Sequence, residues 1–166
     1  MNENLKIKKK SLENIEYAYD YLQIILAKYY DLIKKIGDED WTKHFIDDQH
    51  CLLSYATLYE QVQNGGFIEL IWNGYYSYIF ETPLIETLYK WGTPNTAKLL
   101  EKIKSDCNKL ANEIENWNKS DLELFSKLYK KHPQFEAFDN EFYDDDGVLE
   151  IKNYVEKNLS NFITVE

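Results

Sequence analysis

Two adjacent glycines inside an otherwise helical apolar pattern constrain this chain more than any other feature. Leu52, Tyr55, Ala56, Tyr59 and Val62 repeat at spacings of three and four, as the buried face of a helix does. The pattern stops at Asn64-Gly65-Gly66 and restarts at once with Phe67, Leu70 and Ile71, before Asn73-Gly74 breaks it again. Asn and Gly adopt the left-handed conformation that closes a helix, and glycine lets two backbones approach closely. The spacing therefore predicts two helices joined at a sharp corner.

The same three-four spacing recurs along the chain. Leu12, Ile15, Tyr19, Leu22, Leu26, Tyr29, Ile33 and Ile36 predict one long first helix, capped by Ser11 and ended by Gly37 with Asp38-Glu39-Asp40 behind it. Asp47 or Asp48 can cap the helix that enters the corner. Tyr75 to Phe80 has a strand-like composition but no partner run, so it reads as irregular or helical. Thr82-Pro83 and Thr93-Pro94 each set a capping residue before a proline at the first helical position, and Gly92 closes the helix between them. A long helix then carries Ala97, Leu100, Ile103, Cys107, Leu110, Ile114 and Trp117 on one face. Ser120 and Glu123 have capping-box spacing for a helix to Lys131, with Leu124, Phe125 and Leu128 inward and His132 beside its terminal carbonyls. A turn or two of helix around Phe135, Phe138 and Phe142 and a last helix from Val148 to Asn158 complete the chain. The fold class is all-α: a compact single-domain array of about six to eight helices over residues 11–166, preceded by a basic flexible tail over residues 1–10.

With 166 residues, one domain can bury roughly 70% of its unfolded surface without a metal or disulfide. Tyr (14), Phe (8) and Trp (4) are plentiful enough to make much of the core aromatic. The net charge of -10 sets 29 acids against 19 bases, and every base is lysine. Without arginine's planar fork, and with a field that repels polyanions, direct nucleic-acid binding is disfavoured and a basic partner is favoured. The lysines at 6, 8, 9 and 10 precede Ser11-Leu12-Glu13 rather than an apolar stretch, which is not a signal-peptide pattern, and no apolar run approaches the roughly 20 residues that span a bilayer. Cys51 and Cys107 form no disulfide framework or metal motif, consistent with buried thiols in a cytoplasmic protein.

Few residues suggest chemistry. Asp144-Asp145-Asp146-Gly147 resembles a calcium loop only superficially, because aligning Gly147 with the loop glycine puts Phe142 at the first ligand position and Asn153 where a bidentate glutamate is required. His44, Asp48 and His50 do not share one helical face. There is no nucleophile elbow, phosphate-binding glycine loop or zinc-protease helix, so no catalytic residue, metal or cofactor is assigned. A carboxylate pair assembled by the fold would make a small hydrolase the enzymatic alternative.

Charge placement is more informative. Gln134 to Glu150 holds Glu136, Asp139, Glu141, Asp144, Asp145, Asp146 and Glu150 with no lysine, and Ile36 to Glu86 holds nine acids against Lys43 alone. Such runs are commonly solvated surface. Carboxylates four residues apart on a helix also stand about 6 Å apart at their β-carbons, comparable to phosphates along one strand. The seven acids from Glu136 to Glu150 are therefore the candidate partner-binding residues.

Leu58-Tyr59, Val62, Asn64-Gly65-Gly66-Phe67 and the following Asn73 resemble the signature of a bacterial family of small helical proteins, a domain of unknown function that includes DNA mimic protein nineteen. Phe138, Phe142, Tyr154 and Phe162 resemble its C-terminal part, so the likeness covers roughly residues 47–162. Glu69, Leu70 and Ile71 depart from the glutamine and two aromatics expected after the Asn-Gly-Gly-Phe unit. The resemblance implies an all-helical fold, in many members a homodimer, and one activity of its type is to bind a helix-turn-helix transcription factor in place of DNA. Asn64, Gly65, Gly66, Phe67 and Asn73 carry the likeness as structural residues, while mimicry would act through acids. The function implied is an acidic DNA-mimic-type binding protein, not an enzyme, that occupies the basic face of a DNA-binding partner such as a transcription regulator. An immunity-type protein that neutralises a basic toxin or nuclease is the alternative within the binding class.

Overall fold

Helical periodicity governs the computed structural model, which describes residues 5–37 and 41–166. Among them are eight α-helices and one two-stranded pairing, and they group into two units, residues 1–53 with 147–166 and residues 54–146.

In the first unit, α1 (Ala18–Ile36) packs on α8 (Val148–Lys157). Leu22, Ile25, Leu26 and Tyr29 of α1 and Ile151 and Val155 of α8 are buried, as the three-four spacing requires. The helix expected from Ser11 begins only at Ala18. Lys9–Leu12 form a 3₁₀ turn and Asn14 sits at φ 59°, a left-handed conformation that an α-helix cannot contain. Gly37, at φ 84°, ends α1; the triad Asp38-Glu39-Asp40 lies outside the described residues. Within the segment expected to be a flexible tail, Lys6–Ile7 form a short strand and Lys9 and Lys10 belong to the 3₁₀ turn. β1 (Lys6–Ile7) pairs in parallel with β2 (Thr164–Val165), because Leu5 and Ile7 alternate inward and are buried.

In the second unit, α5 (Pro94–Ile114) is the central rod, packing on α3 (Tyr76–Phe80), α4 (Leu84–Trp91) and α7 (Gln134–Asp144). Its buried face holds the expected residues from Ala97 to Ile114, but Trp117 falls beyond the helix end. The cap of α6 (Leu122–Lys131) is Asp121 rather than Ser120: its carboxylate accepts from the amides of Glu123 and Leu124 at 3.0 and 3.3 Å. Thr93 is the N-cap residue of α5 with Pro94 at its first position, as expected, whereas Pro83 rather than Thr82 stands at the start of α4, and neither threonine side chain bonds downstream. Their hydroxyls donate backward to the carbonyls of Tyr78 and Leu88, at 3.1 and 2.9 Å, and so finish the preceding helices. α2 (Asp47–Trp72), within which the boundary between the units falls, bends at the double glycine.

Candidate functional site: the glycine corner and the acidic helix

The bend in α2 comes from two residues. Gly65 (φ -156°, ψ 27°) and Gly66 (φ 72°, ψ -175°) leave helical geometry, and Phe67 restarts the helix with its ring buried. A break of this kind leaves the amides of the new first turn without intrahelical partners. Phe67 N–H donates to Asp139 Oδ1 on α7 at 2.8 Å, and the Tyr129 hydroxyl of α6 donates to the Gly65 carbonyl. A β-carbon on Gly66 would collide with the Asp139 carboxylate and with the Tyr129 hydroxyl. Asn64 and Asn73 brace the rim, donating to Glu69 Oε1 at 2.5 Å and to Gln61 Oε1 at 2.6 Å.

Asp139 is therefore not a surface acid. It is 6% exposed, on the inner face of α7 with Phe135 and Phe142, and the Phe142 ring meets Phe67 edge-on at 5.8 Å. Burial pushes its carboxyl above the usual aspartate range, against the opposing pull of the Phe67 amide and the Tyr129 hydroxyl. Charge counting missed this position, although the spacing Phe135, Asp139, Phe142 places it on the apolar face. Tyr129 and Tyr143, whose hydroxyl donates to the Val62 carbonyl at 2.9 Å, had no such signal, because their partners are backbone atoms made available by the fold.

The other candidate acids separate by environment. Glu136, Glu141, Asp144 and Asp145 are exposed and Asp146 is half-buried, all in the second unit, whereas Glu150 is exposed on α8 in the first. Lys102 pairs with Glu141 at 2.5 Å, Asn95 donates to Asp145 at 2.8 Å, and Gln63 reaches Asp146 at 3.5 Å. Among the described residues neither Glu136 nor Asp144 has an ion-pair partner, and with Asn140 they form a solvent-facing row at every fourth residue. Residues 54–146 hold 16 acids and nine lysines, a net -7, against -3 for the other unit. All nine lysines lie between Lys90 and Lys131, so α7 and the part of α2 in this unit carry none.

Other groups of interest have structural partners. A cleft of about 540 Å³ is lined by Glu81, Glu86, Glu101 and Lys104, and the Lys104 ammonium donates to the Phe80 carbonyl at 2.7 Å. His132 faces Glu113 Oε2 at 3.0 Å instead of its own helix carbonyls; burial would raise the Glu113 carboxyl, but Lys131 and His132 hold it below its usual value. In the first unit His50 Nε2 lies 2.6 Å from the Thr42 carbonyl and Asp48 accepts from Asn161 at 3.1 Å. Among the described residues no group of three or more His, Cys, Asp or Glu is arranged to hold a metal, and no helix is long and apolar enough to cross a membrane.

An all-α scaffold with aromatic packing, an acidic lysine-free helix and one buried carboxylate engaged by its own backbone defines a small acidic helical protein. The chain belongs to the DMP19-like protein family, whose model matches residues 43–158. It is 33% identical over 123 residues to the DNA mimic protein DMP19 of Neisseria meningitidis serogroup B, a match covering 74% of this chain and 73% of that protein.

Proposed function

We propose that this protein is a non-enzymatic, cytoplasmic DNA mimic that occupies the basic DNA-binding face of a partner such as a transcription regulator. The observation that carries the reading is the exposed row Glu136, Asn140 and Asp144 on lysine-free α7, in a unit of net charge -7. Glu136 and Asp144 stand eight residues apart, about 12 Å along the helix axis, so α7 offers fixed negative charges at a set separation to a phosphate-binding surface. A rigid helix presents these charges without the ordering cost of a flexible acidic tail. The relative in Neisseria is named as a DNA mimic, which points the same way. Asp139, raised by burial, is the carboxylate a hydrolase would draw on, but it is enclosed and bonded to a backbone amide, which favours an architectural use.

The test is affinity capture from the native host at low and high salt, with duplex DNA as competitor. A DNA-binding protein that is captured, released by salt and displaced by DNA supports mimicry. Capture of a nuclease or toxin that DNA does not displace would replace it with the immunity reading, and capture of no salt-sensitive partner would sink both.

A further inference from the structure

We infer that Asp139 is a positioning residue for the acidic face: its buried carboxylate locks α7 onto the Asn64–Phe67 corner and so fixes the row Glu136, Asn140 and Asp144 in place. What the row does rests on the DNA-mimic reading; the lock itself does not. Asp139 Oδ1 accepts from the Phe67 N–H at the break in α2, and Oδ2 lies 3.5 Å from the Tyr129 hydroxyl, which itself donates to the Gly65 carbonyl. One carboxylate thus ties α7, α2 and α6 together. The absence of a side chain on Gly66 supplies the space, since a β-carbon there would occupy the carboxylate's position.

The lock lies near the middle of an 11-residue helix, a length that is marginal in water without tertiary contacts. Glu136 stands three residues before Asp139 and raises its carboxyl further by like charge, so outer row and inner anchor are electrostatically linked. A buried carboxylate is a costlier anchor than an amide, but the N–H bond it accepts is charge-assisted and stronger than a neutral one. The titratable groups that face it are Tyr129, Tyr143, Glu136 and Cys107. Burial pushes both tyrosines and the thiol upward as well, so at neutral pH they face Asp139 as uncharged groups.

The experiment compares the full chain with Asp139→Ala and Asp139→Asn. By NMR, the Phe67 amide proton and the Asp139 carboxyl carbon of the wild type should follow one titration curve, with a midpoint above the ordinary aspartate range, and Asp139→Asn should abolish that curve at Phe67. Asp139→Ala should speed hydrogen exchange at Phe67 and across Glu136–Asp144 at least tenfold while Ile103–Leu110 of α5 is unchanged, and Asp139→Asn should restore protection to within threefold. Capture of the DNA-displaceable partner should fall at least tenfold in Asp139→Ala and recover in Asp139→Asn. Unchanged exchange across α7 in Asp139→Ala, or a Phe67 amide that ignores the carboxyl titration, overturns the lock. Intact exchange effects with no DNA-displaceable partner overturn the mimic reading alone. Should Asp139→Ala not fold, Tyr129→Phe removes only the hydroxyl; a threefold rise in α7 exchange supports the lock and no rise overturns it.

Discussion

Asp139 Oδ1 stands 2.8 Å from the amide nitrogen of Phe67, a bond across 72 positions of sequence that closes over Gly66. Because Gly66 lies at φ 72° under the carboxylate, substitution there meets two separate penalties. A left-handed backbone costs a non-glycine residue about 1–2 kcal/mol, and forced overpacking adds about 1–3 kcal/mol. Gly66→Ala should therefore destabilise the fold by about 2–5 kcal/mol in urea denaturation. Gly37→Ala is the control: its φ is 84° but a β-carbon there meets nothing within 4 Å, so it should show the backbone penalty alone. Equal losses at the two positions would remove the collision from the account.

The pH dependence of Asp139 has a definite sign. Its folded-state pKa is raised by burial above an unfolded value of about 3.9. Below that value both states are protonated; as pH rises through the window between the two values the unfolded state ionises first, so the contribution of Asp139 to stability is lost. Asp139→Asn is neutral throughout. Relative to wild type, it should gain stability between pH 4 and pH 7, read as a widening difference in urea midpoint. A constant difference would mean that the carboxyl is not raised.

In the first unit, the Tyr29 hydroxyl donates to the Phe162 carbonyl at 2.7 Å and Gln49 Nε2 donates to the same oxygen at 3.0 Å. Burial, and then the nearby Asp48 charge, push the Tyr29 hydroxyl far above its ordinary value of 10.0. Its contribution is present below pH 10 and declines as pH rises past the point where unfolded tyrosine ionises. Tyr29→Phe should cost about 1 kcal/mol at pH 7, because the carbonyl keeps its second donor. That difference should shrink above about pH 10, where the wild type alone suffers the tyrosine penalty. Urea titrations at pH 7 and pH 10.5 check both statements.

Helix existence was legible in the sequence because spacing by threes and fours survives any tertiary context, and the corner was legible because few residues other than glycine accept φ 72°. Helix starts were less so. Ser11 and Asn14 both precede an apolar stripe, and the left-handed conformation of Asn14 moves the start to Ala18. The acidic run was read by counting charge, which ignores facing: four acids proved exposed on or just beyond α7, Asp146 half-buried and Asp139 buried, although its neighbours Phe135 and Phe142 mark its side of the helix. Pairing of Glu141 with Lys102 depends on a helix 39 positions away, and no local pattern encodes it.

Glu136 and Asp144 are exposed and lack ion-pair partners among the described residues, so neutralising them tests the surface without disturbing the core. Glu136→Gln with Asp144→Asn should change stability by no more than about 0.5 kcal/mol, the usual range for surface substitutions. Their effect on partner binding should fall on association: exposed charges steer encounter, so the double variant should lower the association rate several-fold at low salt and flatten its salt dependence, with dissociation little changed. Glu141→Gln should behave differently, because it both removes an acid and releases Lys102 to face the partner. It should slow association at least as much as either single neutralisation. Stopped-flow or surface-binding kinetics at two salt concentrations separate these cases, and equal rates for wild type and the double variant would move the contact surface away from α7.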